Sequence, residues 1–267
     1  MPPVIELRGV TKEFAGVRAV NDLSLSLSLG EVLCLLGENG AGKSTVIKLL
    51  TGVQTPTTGE IYVDGEKVDF GSPRDARDHG IACVFQEVAT FPLMSVARNF
   101  VVGAEPMKGH GPFRRIDMDK ASTIAISEMR KLGIRRVTDG RRLVGSLSGG
   151  ERQALAIGRA IHFGARVLVL DEPTAALGVR ESASVLRLIK AARARGVAVL
   201  FITHNAYHAH ETGDRFVVLR RGETLASFSR GEMDITEVIN LMAGGEELRE
   251  LMEEEDGEDE LNGRVEA

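Results

Sequence analysis

The stretch Gly37-Glu38-Asn39-Gly40-Ala41-Gly42-Lys43-Ser44-Thr45 constrains this chain more than any other. It matches G-x-x-x-x-G-K-[ST], follows an apolar run over residues 31–36 and opens a helical pattern over 43–50. Strand, glycine loop and helix in that order make a polyphosphate cradle. The glycines let backbone N–H groups converge with no Cβ in the way, and the helix start adds partial positive charge. Lys43 places a cation on the β- and γ-phosphates, and Ser44 offers a hydroxyl to Mg²⁺. Residues 37–45 are therefore the expected nucleotide contacts.

A second run completes the pattern. Arg166-Val167-Leu168-Val169-Leu170-Asp171-Glu172 reads as a buried strand delivering two carboxylates to its C-terminal edge, where open α/β sheets bind ligands. Asp171 is placed to hold Mg²⁺ and Glu172 to act as general base, although a helix-capping or surface acid is the plainer use of such a residue. The two motifs together specify a P-loop nucleoside triphosphatase without saying which kind.

The rest of the chain reads as α/β. Leucines at 23, 25, 27 and 29 alternate with serines at 24, 26 and 28, the period of a half-buried antiparallel strand. Further strands are expected over 4–10, 59–64, 81–85 and 197–203, with a hairpin over 215–228. From about residue 87 to 163 the pattern turns helical, with a Gly/Pro break near 103–112 and helices over 117–132 and 151–162. A helix over 179–194 is expected to bury Val179, Ala183, Leu186 and Ile189, and a last helix covers 235–242. Alternation of this kind predicts a mainly parallel sheet covered on both faces, carrying an antiparallel β subdomain and an inserted helical subdomain. Residues 1–245 form one domain on this reading, and 246–267 an acidic tail.

Composition sets the outer limits. A chain of 267 residues, 43% hydrophobic and 27% charged, has the length and balance of one large soluble domain. No apolar run reaches the roughly 18 residues of a membrane helix, and no secretory signal is visible at the N-terminus. Cys34 and Cys83 lie in apolar runs without CxxC spacing, so reduced, buried thiols are expected. Of the net charge of −5, residues 246–260 hold −9, leaving the body mildly basic. That excess is too small to argue for nucleic acid.

Ser146-Leu147-Ser148-Gly149-Gly150-Glu151-Arg152-Gln153 precedes the Asp171 strand. Ser148 and Glu151 form an S-x-x-E capping box, and two glycines leave donors open on the helix start. With the two nucleotide motifs around it, this segment resembles the L-S-G-G-Q/E signature of the ABC ATPases. The resemblance covers about residues 4–245. It implies ATP and Mg²⁺ as ligands and a homodimer in which Ser148, Gly149 and Gly150 of one copy reach, in trans, the γ-phosphate held by Lys43 of the other. It implies that Phe14 stacks on adenine, although a core Phe is the common use. Gln86 matches the glutamine that senses Mg²⁺ and the γ-phosphate, joining Ser44 and Asp171 around the metal. His204 matches the histidine that bonds the γ-phosphate and the attacking water. Where the family has S-A-L-D, this chain has Ala175-Ala176-Leu177-Gly178, so contacts carried by that aspartate are missing.

Two further stretches look like bacterial monosaccharide importer ATPases: Ser72-Pro73-Arg74-Asp75-Ala76 with Gly80-Ile81-Ala82, Val84 and Gln86-Glu87, and His204-Asn205-Ala206-Tyr207-His208-Ala209 with Gly213-Asp214-Arg215 and Val218-Leu219. That likeness implies a peripheral subunit on the cytoplasmic face of the bacterial inner membrane. It would sit under integral permease subunits, fed by a periplasmic solute-binding protein. Two other classes fit less well. A soluble relative acting on ribosomes or nucleic acid would carry coiled coils, zinc modules or a second cassette, and a small-molecule kinase would lack the signature and His204.

Overall fold

A computed structural model describes residues 2–86, 88–175 and 177–243. The acidic tail and the end of the expected domain at 245 lie outside the described residues. The N-terminal part runs Ile5–Phe14 (β1), Val17–Leu27 (β2), Val32–Leu36 (β3), Lys43–Leu50 (α1), Thr58–Val63 (β4), Glu66–Val68 (β5), Pro73–Asp78 (α2) and Ile81–Val84 (β6). The middle holds Val96–Val101 (α3), Met107–Lys108 (β7), Arg115–Ile116 (β8), Met118–Lys131 (α4) and Gly149–His162 (α5). The C-terminal part holds Val167–Asp171 (β9), Val179–Ala194 (α6), Ala198–Thr203 (β10), Ala206–Thr212 (α7), Arg215–Arg220 (β11), Glu223–Ser229 (β12) and Ile235–Met242 (α8).

Two sheets organise these elements. One is antiparallel, in the order β2-β1-β4-β5; the other has the order β12-β11-β3-β10-β9-β6 and is parallel except for the β11–β12 hairpin. The parallel strands are apolar at all their interior positions for a physical reason. Successive side chains point to opposite faces, and both faces are covered. In β3, Val32, Cys34 and Leu36 join the core shared with the helices, whereas Leu33 and Leu35 join the core under the antiparallel sheet. Phe201 of β10 takes the helical side and Leu200 and Ile202 the other. This is the P-loop core with its antiparallel β subdomain and helical insertion.

Local chemistry sets the helix starts. Asp117 caps α4 by accepting from Lys120 N, and Ser148 and Glu151 close a reciprocal capping box at α5, at 3.3 and 2.9 Å. Asp234 and Glu237 do the same for α8.

Four expectations need correction. Leu29 lies past the end of β2 and is 41% exposed, because the Gly30 turn takes it out of register. The insertion is not wholly helical: β7 and β8 form a short antiparallel hairpin across the Gly/Pro break. The buried face of α6 is Ser182, Val185, Leu186, Leu188, Ile189 and Ala192, with Val179 89% exposed. Val179 is the first residue of that helix, where there is no neighbouring turn for it to pack on. Cys34 is fully buried as expected, but Cys83 only partly.

Candidate active site

The parallel strands β3, β10, β9 and β6 lie side by side in that order, and their C-terminal ends are level. Thr203 pairs with Leu36, Ile202 with Asp171 and Val84 with Leu170. The phosphate loop leaves β3, Asp171 and Glu172 end β9, His204 follows β10 and Gln86 follows β6. Residues scattered over more than a hundred positions thus share one sheet edge.

The phosphate loop is held by its neighbours. Gly37 and Gly42 have φ of +147° and +107°, and a Cβ on them would come within 2.4 Å of Leu219 O and 2.5 Å of Ala19 O. These two glycines therefore admit the protein's own backbone, a demand beyond the convergence of donors expected from the motif. Gly40, at φ +86°, faces open space. The turn at Gly222 clamps the loop by donating to Ala41 O at 3.0 Å. The N–H groups of Gly40, Gly42, Lys43 and Ser44 have no acceptor among the described residues, which leaves a nest of donors at the start of α1.

Lys43 is 8% exposed. Its Nζ donates to Gly37 O at 2.6 Å and Glu38 O at 2.8 Å. Burial pulls its ammonium below the usual lysine range, opposed by the charges of Glu172, Asp171 and Glu38. Burial, then the neighbouring Glu172, pushes the Asp171 carboxyl up, while Lys43 pulls it back. Two adjacent carboxylates facing one lysine are short of positive charge. That deficit fits a divalent cation. Among the described residues no cluster of three His, Cys, Asp or Glu side chains could hold one alone. A cation here would take Ser44 and Asp171 and complete its shell from phosphate oxygens and water, as Mg²⁺ does.

Glu172 sits at φ +46°, a conformation that a non-glycine residue keeps only when its surroundings fix it. Its N–H donates to Ile202 O at 3.0 Å. Its carboxylate accepts from Thr203 Oγ1 at 3.3 Å and His204 N at 2.9 Å, and lies 2.8 Å from His204 Nδ1. Glu172 and His204 are thus brought into direct contact, and Thr203 emerges as a partner that sequence reasoning missed. Its only sequence signal was its place beside His204.

The remaining expected residues fall as follows. Phe14 ends β1 and is 40% exposed, so it is not a core residue; Lys12 Nζ stands 5.2 Å from its ring centroid. Gln86 is exposed in a bend at the sheet edge. Ser148, Gly149 and Gly150 start α5, where Gly149 N donates to Glu181 Oε1 at 3.2 Å. Gly178 precedes α6 with no side-chain cap, and a Cβ there would meet nothing within 4 Å. Ala176, in the same segment, lies outside the described residues. A cleft of about 660 Å³ opens beside Glu38, Asn39 and His204 and runs to Ile239 and Met242 of α8.

A parallel sheet edge carrying a glycine loop, a buried lysine and a carboxylate pair defines a P-loop nucleotide-binding protein. Comparison with known proteins narrows the class. Residues 20–175 match the family model described as ABC transporter. The ribose import ATP-binding protein RbsA 3 of Rubrobacter xylanophilus is 42% identical over 92% of this chain and 48% of its own length. The fructose import ATP-binding protein FrcA of Rhizobium meliloti is 38% identical over 92% of this chain and 95% of its own. The xylose/arabinose import ATP-binding protein XylG of Sulfolobus acidocaldarius is 38% identical over 91% and 94%. The chain spans about half the length of the ribose relatives and nearly all of the other two. Among solved structures, the ADP conformation of an ATP-binding cassette of an ABC transporter superposes with a TM-score of 0.77 at 24% identity, over 90% of this chain and 96% of that one. The chain belongs to the ABC transporter family.

Proposed function

We propose that this chain is the ATP-binding and ATP-hydrolysing subunit of an importer for a small solute, a monosaccharide. The observation that carries the reading is the sheet edge itself: a buried Lys43, unengaged loop donors, and Asp171 and Glu172 at the end of β9. Phe14 offers an exposed ring for adenine. The donors at the start of α1 and Lys43 hold the triphosphate. Glu172 takes the proton of a water attacking the γ-phosphorus as the bond to the bridging oxygen breaks, releasing ADP and phosphate. His204 turns from Glu172 to the γ-phosphate and that water. Mg²⁺, when bound by Ser44 and Asp171 with Gln86 nearby, neutralises phosphate charge.

At the start of α5 the Gly150 N–H has no acceptor among the described residues and Ser148 is exposed, which supports a homodimer in which Ser148, Gly149 and Gly150 meet the γ-phosphate of the other copy. A membrane partner has separate support. A groove of about 950 Å³ runs between β6 and α5. Phe85, Phe91 and Phe163 are 48%, 52% and 45% exposed on it. Arg159 lies half-buried there, with Nε unbonded and no carboxylate bridge among the described residues. A groove walled by exposed phenylalanines and the half-buried Arg159 suits an apolar permease segment bearing a carboxylate. No described helix is long and apolar enough to cross a membrane, so attachment on the cytoplasmic face of the bacterial membrane would come through that permease. A periplasmic solute-binding protein would act on the permease from the far side. The ribose, fructose and xylose/arabinose relatives support a monosaccharide as cargo.

Uptake of labelled ribose, fructose and xylose into vesicles holding this chain and its permease tests the reading. ATP-dependent uptake of one of them, lost with Glu172→Gln, is expected. ATP hydrolysis with no uptake of any of the three would overturn the choice of cargo.

A further inference from the structure

The turn that carries Glu172 is tied to the β10–α7 connection at two places. The first tie is the Glu172 carboxylate, held by Thr203 and His204. The second is Thr174, two residues on, whose Oγ1 lies 3.0 Å from His208 Nδ1. Thr174 is 6% exposed, and its hydroxyl has no other partner among the described residues. His208 is itself fixed within α7. Its N–H donates to Asn205 Oδ1 at 3.0 Å, and its carbonyl accepts from Thr212 Oγ1 at 2.9 Å. Burial pulls the His208 ring below the usual histidine range, so near pH 7 it meets the hydroxyl as a neutral ring.

The two ties differ in what the reaction asks of them. On the hydrolysis reading, the His204 ring turns toward phosphate, and the carboxylate then loses its Nδ1 contact while keeping those to Thr203 Oγ1 and His204 N. A residue at φ +46° needs its surroundings to stay in place at that moment. The far end of the turn is held separately, by Leu177 against the core and by Ser182 N donating to Gly178 O at 2.9 Å, and that bond does not reach α7. The Thr174–His208 bond can stay closed throughout.

We propose that His208 is a positioning residue, which through its Nδ1 bond to Thr174 holds the Glu172 turn against α7 while His204 changes partner. The inference rests on the ATPase reading above.

The test is steady-state ATP hydrolysis by the full chain. Thr174→Val and His208→Ala each remove the bond. Thr174→Ser keeps the hydroxyl, and His208→Asn puts an amide where Nδ1 stood. Each breaking variant is expected to lower kcat on the order of 10-fold, with KM for ATP within about 2-fold of the parent. The double variant should fall no further than the worse single one, and Thr174→Ser and His208→Asn should recover most of the rate. Thr174→Val at full kcat, or losses that multiply to about 100-fold in the double variant, would overturn the proposal. Valine fills the volume of threonine, so the Thr174 pair decides the matter even if His208→Ala does not fold. A parent chain that hydrolyses no ATP would sink the ATPase reading. A chain that hydrolyses ATP, fails with Glu172→Gln and tolerates Thr174→Val would sink this inference alone.

Discussion

At the start of α1 the chain turns toward its own sheet edge; at the start of α5 it turns toward solvent. Both starts are glycine-rich, and both present backbone donors with the positive end of a helix dipole behind them. Around the first, Lys43 is buried between loop carbonyls, with Asp171 and Glu172 at the end of β9, one strand beyond β10. Around the second, Ser148 is exposed and bonded to Glu151, and among the described residues the only other side-chain group bonded to a backbone N–H of the turn is the Glu181 carboxylate on Gly149. The first region sets a buried lysine beside two carboxylates, whereas in the second Glu151, Glu181, Arg142 and Arg152 are already engaged with their own turn. On the dimer reading proposed above, the first glycine turn is a binding site within a single subunit, and the second is half of a site that a second copy would complete.

Four substitutions sharpen or break that contrast, beginning with the largest effect. Glu172→Gln keeps the shape of the first region and removes its base. Phosphate release should fall on the order of 10²–10⁴-fold while nucleotide binding, read by fluorescence titration, persists. Normal turnover would remove Glu172 from the mechanism. Lys43→Ala strips the charge-assisted contact from the same region and should weaken ATP affinity roughly 10- to 100-fold by calorimetry. Unchanged affinity would contradict the assignment of Lys43. Ser148→Arg acts on the second region only. ATP affinity of the isolated subunit should hold, nucleotide-dependent association should disappear on size exclusion, and loss of the cap should lower stability by about 1 kcal/mol. Association that survives arginine would show that α5 does not meet the other copy. Gly178→Asp should have the smallest effect. The open space there accepts a side chain, and a capping carboxylate at the start of α6 should add about 0.3 kcal/mol in a denaturant melt. A loss of stability would mean that the backbone at Gly178 is under a constraint its φ of −68° does not show.

Much of the first region was legible in the sequence, because its chemistry is local. The loop, its strand and its helix are contiguous, and Asp171 and Glu172 follow one apolar run. The Ser148–Glu151 box also spans only four residues, and it formed as read. What the sequence hid was long-range or short. Thr174 and His208 are 34 positions apart, and nothing in either neighbourhood announces the other. Glu181 meets Gly149 across 32 positions. The β7–β8 hairpin has two residues per strand, too few for any period to show. In α6 the apolar spacing was real, but Val179 stood where the helix has no preceding turn. Thr203 was overlooked because β10 reads as a uniformly apolar strand, and only its position beside His204 gives its hydroxyl a use.

The sedimentation mass of Glu172→Gln with Mg²⁺ and ATP tests the half-site account most directly. The subunit mass is 28.8 kDa. The account predicts twice that mass with ATP, a return to the single-subunit mass with ADP, and no doubling once Ser148→Arg is added. A particle that stays at 28.8 kDa with ATP, alongside parent hydrolysis whose rate per subunit does not change with protein concentration, would contradict it.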